Sequence, residues 1–198
     1  MKTKFKHILV ILCLSMISCE GNLEPELFDQ ITPENFLTNE DDVKTAVTGV
    51  YAEFRGISEW GRYKTSWGSV MTLQEVPTDL WAANWFYKAH TDFMWKATDY
   101  FVCEIFEFFV PAITKATALI ARIQDAPVSD DIKNRYIAEL RVVRALWMYD
   151  LFDLYGPVPA ITDPEKILNP TQDFTVTRPS REEYITFVET ELKEVINA

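Results

Sequence analysis

Three observations predict an all-α protein. Apolar residues recur at intervals of three and four in four separate stretches, capping signals bound those stretches, and no alternating strand pattern of comparable strength appears. The first helix opens at Thr38, with Asp41 three residues on as a capping-box-like partner. Val43, Ala46, Val47, Val50, Tyr51 and Phe54 form its stripe, and Gly56 ends it. Residues 56–95 carry no stripe; they hold Trp60, Trp67, Trp81, Trp85 and Trp95, so all but one of the 6 tryptophans fall there. An irregular stretch of that length is functional or disordered, and its aromatic content argues against disorder. From about Lys96 a second helical region runs through Phe101, Ile105, Phe109, Ile113, Leu119 and Ile123, and Pro111 is expected to kink or split it.

Ala126-Pro127-Val128-Ser129-Asp130 breaks the pattern before the strongest helix, about 131–155. Ile132, Tyr136, Ile137, Leu140, Val143, Trp147, Leu151 and Phe152 make its broad apolar face, and Gly156-Pro157 stops it. Residues 157–179 are proline-rich and without periodicity, which predicts a loop. Ser180 with Glu183 is a capping box for a fourth helix bearing Tyr184, Phe187, Val188, Leu192 and Val195. That helix reaches Ala198 with no terminator, so the sequence is expected to stop inside an element.

The chain has 198 residues, 19 Lys+Arg and 30 Asp+Glu, for a net charge of −11, with 48% apolar residues and 14% aromatics. Those values fit one globular domain and exclude a disordered chain. The acidic balance excludes nucleic acid as a partner, because phosphate recognition needs clustered Lys and Arg. The opening MKTKFKHILVILCLSMISC has three lysines followed by an apolar run about half the ~20 residues a membrane span needs. It reads as a signal peptide over residues 1–18. Met16-Ile17-Ser18-Cys19 resembles a bacterial lipobox, which makes Cys19 the lipidated first residue; a plain signal peptide cut nearby is the alternative. Residues 19–37 form a tether, and 38–198 the helical domain. With Cys19 lipidated, Cys103 is the remaining thiol, placed in an aromatic helical run as a buried structural cysteine.

The chemistry-bearing residues are few. His90 is the one histidine beyond the signal peptide, and there is no HExxH or CxxC spacing and no glycine-rich phosphate loop. No metal and no cofactor are therefore expected. Glu75 and Asp79 are the best candidates for a paired-carboxylate site, against a solvated or capping role for both. Glu40-Asp41-Asp42 sits in a helix first turn, where acids favour the dipole. Trp81-Ala82-Ala83-Asn84-Trp85-Phe86-Tyr87 combines flat aromatic rings with an amide. Rings of that kind stack on the weakly polar C–H faces of sugars while amides read hydroxyls. Trp81, Asn84, Trp85 and Tyr87 are thus candidate glycan-binding residues, with core plugs beneath the loop as the alternative. Trp147, on a helix face, is core.

Within the third helix, Ala138-Glu139-Leu140-Arg141, Arg144-Ala145-Leu146 and Leu151-Phe152-Asp153-Leu154-Tyr155-Gly156-Pro157-Val158-Pro159 resemble the signature of the SusD/RagB family. Pro33-Glu34-Asn35-Phe36, Ala46-Val47-Thr48-Gly49-Val50-Tyr51, Leu73-Gln74-Glu75-Val76-Pro77-Thr78-Asp79 and Arg178-Pro179-Ser180 leading into Thr190-Glu191-Leu192 are similar to further family segments in the same order. Thr117 departs from the family, which usually has Asn there. The resemblance implies tetratricopeptide-like helical pairs with a long aromatic-rich loop. It also implies a non-enzymatic, lipid-anchored outer-membrane protein, exposed at the cell surface, whose loop aromatics serve the glycan site. Such a protein delivers oligosaccharides to a TonB-dependent, SusC-like transporter. A helical scaffold that docks on the transporter, or a peptide-binding member of the family, are the alternatives. The family's members are much longer, so the chain corresponds to their N-terminal part. The signature itself is scaffold: Glu139 and Arg144 are expected to satisfy neighbouring helix ends or to pair with each other, and Gly156 to take a left-handed cap.

Overall fold

The computed structural model describes residues 36–54, 70–81, 87–168 and 175–196. Helix α1 spans Glu40–Ala52, and the capping predicted at Thr38 shifts by one residue. Asn39 is the N-cap and accepts the Asp42 N–H at 3.0 Å, while Asp42 takes the Thr38 N–H at 2.9 Å and the Thr38 hydroxyl at 2.7 Å. Asp42, rather than Asp41, therefore closes the box, and these bonds from Thr38 hold its carboxyl below the ordinary range. The aromatic stretch contains two short helices, α2 (Val70–Gln74) and α3 (Lys88–Thr91), so it is less irregular than its sequence.

Two long helices follow, α4 (Tyr100–Asp125) and α5 (Asp130–Tyr155). Helix α4 begins four residues later than expected and runs unbroken through Pro111. Pro111 is exposed, on the solvent side of α4, and supplies no N–H to the helix ladder. The short break between them makes α4 and α5 an antiparallel hairpin. Lys133 donates to the Gln124 carbonyl at 2.9 Å near the turn, and Tyr155 donates to the Val102 carbonyl at 2.6 Å at the far end. Gly156 closes α5 with φ 73° and ψ −160°, a region that glycine alone visits at low cost, and its N–H bonds the Phe152 carbonyl at 2.9 Å. The segment read as loop after it holds one helical turn, α6 (Pro164–Leu168).

Helix α7 (Arg181–Ile196) starts with the capping box read from the sequence. The Ser180 N–H reaches Glu183 at 2.8 Å and the Glu183 N–H reaches the Ser180 hydroxyl at 3.2 Å. It packs antiparallel on α5, where Tyr184 donates to the Met148 carbonyl at 3.0 Å. No strand occurs among the described residues. The core is the predicted one along α1, α4 and α5: Val43, Val47, Phe109, Ile113, Leu140 and Trp147 are all buried. Trp147 lies against Phe54 and Phe109, with ring centroids at 4.9 and 6.4 Å.

Two side-chain expectations are corrected. Glu139 and Arg144 do not pair with each other. Glu139 accepts the Tyr51 hydroxyl at 3.4 Å, whereas Arg144 forms a buried ion pair with Glu191 of α7 and donates to the Thr117 hydroxyl at 2.8 Å. Arg141 joins the network through Glu191, at 3.0 Å, and Glu194. Leu192, expected in the apolar face of α7, is exposed, and Glu191 is buried in its place. The carboxylate lies on the same inward face as buried Tyr184 and half-buried Phe187, Val188 and Val195, where the two arginines meet it.

Candidate functional site

Phe101, in the first turn of α4 and buried, anchors a set of aromatic rings. Tyr87 stacks on it at 5.5 Å, His90 meets it edge-on at 5.4 Å and Tyr100 edge-on at 5.3 Å. His90 in turn stacks nearly parallel to Trp95, at 6.0 Å and 12°, and Trp95 touches Phe93 at 5.5 Å. Local backbone bonds shape this arrangement. The Asp92 and Met94 N–H groups bond the Lys88 and Ala89 carbonyls at 2.9 and 2.8 Å, closing the turn of α3. Phe93 then takes a left-handed φ of 55°, rare for an aromatic residue, which reverses the chain after α3. Asp99 accepts the Lys96 N–H at 2.8 Å and leads into α4.

The outcome is a surface with large rings held outward. Phe93 is 67% exposed, Met94 70%, Trp95 40% and Tyr100 57%. Scattered exposed apolar residues are ordinary; these rings are instead joined to one another and, through His90 and Tyr100, to one buried anchor, which makes them the candidate site. His90 beneath them is buried with neither ring nitrogen hydrogen-bonded, and burial holds its pKa below the ordinary histidine value although Asp99 acts the other way.

Of the residues singled out in the sequence, Tyr87 is half-buried and belongs to this set through its stack on Phe101. Trp81 is half-buried at the end of the turn that follows α2. Asn84, Trp85, Trp60 and Trp67, and the lipidation candidate Cys19, lie outside the described residues. Phe93, Trp95 and Tyr100 were not assigned from sequence. Trp95 was visible in the tryptophan concentration, and the signal that would have found it is its place between a one-turn helix and a helix start. Cys103 is half-buried rather than fully so, and its thiol donates to the Ala97 carbonyl at 3.2 Å.

Glu75 and Asp79 are both exposed around the turn after α2. Among the described residues no three His, Cys, Asp or Glu side chains gather as metal ligands. A concavity of about 260 Å³ is lined by Met148 near the end of α5, Val158, Lys166 of α6, and Tyr184 and Phe187 of α7.

An antiparallel helical array with an outward aromatic surface defines an all-α protein of the helical-pair class. No family model matches the chain. The SusD-like protein P38 of Formosa agariphila is 25% identical in an alignment of 203 positions that covers 96% of this chain and 37% of that protein. The SusD-like protein P25 of the same organism is 24% identical over 175 residues, covering 83% of this chain and 32% of that protein. A protein of known crystal structure shares the fold with a TM-score of 0.63 at 21% identity, over 80% of this chain and 30% of its own. The chain is similar in sequence to SusD-like proteins over most of its length, its described residues are all-α, and it spans about a third of the curated relatives it matches.

Proposed function

We propose that the protein is a glycan-binding module of a SusD-like nutrient-capture system, a binding protein rather than an enzyme. The observation that carries this reading is the exposed set of Phe93, Trp95 and Tyr100, of which Tyr100 meets buried Phe101 directly and Trp95 reaches it through His90. Exposed rings fixed at low entropic cost offer flat faces to sugar C–H groups, and the Tyr100 hydroxyl, donated to Glu104 at 2.9 Å, helps hold its ring in place. Trp81, Asn84 and Trp85 are further glycan contacts in this reading, and Tyr87 contributes by bracing Phe101. The sequence likeness to SusD-like proteins supports delivery of the bound oligosaccharide to a SusC-like, TonB-dependent transporter.

The lipobox-like Ser18-Cys19 supports an outer-membrane lipid anchor at the cell surface, and no helix among the described residues is long and apolar enough to cross a membrane. Intact mass of the membrane-extracted protein is expected to show loss of residues 1–18 and added lipid on Cys19. Unmodified protein beginning elsewhere refutes the anchor.

A second reading, docking of this face on the transporter without sugar, is favoured by Met94, which is 70% exposed beside the rings. Aliphatic side chains suit a protein surface better than a sugar. An oligosaccharide array decides between them: retention of at least one soluble glycan class supports capture, and a blank array beside retained transporter binding supports docking alone.

A further inference from the structure

Buried polar atoms in folded proteins are almost always hydrogen-bonded, so a buried imidazole with both nitrogens unpartnered requires a reason. His90 is 4% exposed, and neither its Nδ1 nor its Nε2 has a partner. Its contacts are rings. It lies flat under Trp95, at 12° between planes, and edge-on to Phe101. The imidazole is thus the spacer between the buried anchor and the exposed indole.

We propose that His90 is a positioning residue that holds Trp95 at the aromatic surface while neutral, and that its protonation releases the indole, so the surface is assembled near neutrality and loosened in acid. An imidazolium carries two N–H donors, and at this position neither finds an acceptor, so the charged form is stable only after the turn of α3 opens to water. The left-handed backbone at Phe93, immediately beyond α3, is the strained point at which that opening relieves energy. The charged groups around the ring do not prevent it. Asp99, before α4, favours the charged ring, yet burial outweighs it. Lys88 and Asp92, on α3 itself, are paired with each other at 2.6 Å. Glu104, on α4, accepts the Tyr100 hydroxyl at 2.9 Å through Oε1, and its Oε2 is unpartnered.

The inference gives a regulation to the glycan surface and rests on that reading, but its test uses no glycan, so the two can fail separately. The protein has 2 histidines, and the His90 ring proton resonance, assigned by its loss in His90→Phe, is followed from pH 8 to pH 4. Acrylamide quenching of tryptophan fluorescence is measured over the same range, and the difference from Trp95→Phe isolates Trp95. The expected result is a His90 midpoint below the ordinary value of about 6.5, with Trp95 losing its shielding at that same midpoint. His90→Phe, which keeps a flat ring and cannot titrate, is expected to hold Trp95 shielded at every pH; His90→Gln, which removes the ring, is expected to leave it unshielded at every pH. Constant Trp95 shielding through the His90 titration overturns the proposal. So does an acid transition that persists in His90→Phe, or a His90 midpoint at the ordinary value.

Discussion

Asp150 shows how a single side chain sets a pH response. It is half-buried on α5, and its pKa is pushed up to about 6, first by burial and then by the neighbouring Asp153 carboxylate. Asp153 is itself engaged, accepting the Gln74 side chain at 2.8 Å. In the unfolded chain Asp150 titrates near 3.9. The folded state therefore binds the proton more tightly, and stability conferred by the protonated form is complete below the unfolded value and lost as pH rises through about 6. Asp150→Asn is expected to raise the melting temperature at pH 7 and to remove the decline between about pH 4 and pH 6. Melting curves of both proteins across that range check it, and an Asn variant that is less stable at pH 7 contradicts the assignment.

At the scale of elements, α7 meets the hairpin through apolar rings and through a buried ion pair. Tyr184 is its buried apolar residue, while Glu191 meets Arg141 and Arg144 below its surface. Breaking a buried pair leaves an uncompensated charge and costs about 3–5 kcal/mol, whereas replacing both partners with apolar groups is neutral or stabilising by about 1–4 kcal/mol. Arg144→Met alone is expected to destabilise within the first range, and Arg144→Met with Glu191→Leu to recover most or all of the loss. Denaturant unfolding of the two singles and the double measures the coupling. Simple additivity of the singles contradicts the buried pair. Thr117, where the resembling family usually has Asn, fits the same network: its hydroxyl accepts from Arg144 and donates to the Ile113 carbonyl at 2.9 Å.

The same elements show what a sequence makes legible. The capping box of Ser180 and Glu183, the glycine stop at Gly156 and the apolar faces of α4 and α5 are local signals, decided within a few residues by backbone chemistry and periodicity. The exchange of Leu192 for Glu191 was not legible, because it depends on arginines some fifty positions away in the chain. Pro111 was expected to interrupt a helix that tertiary packing holds together. Helices α2, α3 and α6 are too short to register as a periodic stripe.

For the whole molecule, the described residues place an aromatic surface at the leading end of the α4–α5 hairpin, and the glycan reading depends on it. Its location was half legible: the tryptophan concentration marked the stretch, but which rings face outward follows from the anchoring of Tyr87, His90 and Tyr100 on Phe101. Trp147 illustrates the opposite case, an aromatic residue whose helical register alone placed it in the core, where it is fully buried. Truncating Trp147 to Ala would cost about 3–5 kcal/mol of stability, whereas an exposed ring contributes to binding with little effect on the fold. The most direct measurement is therefore the affinity of Trp95→Ala for an array-positive oligosaccharide, taken by calorimetry beside its melting temperature. The glycan-surface account predicts a loss of about 1–3 kcal/mol in binding, by analogy with stacking of nucleobases on aromatic side chains, with the melting temperature nearly unchanged. Unaltered affinity would contradict it.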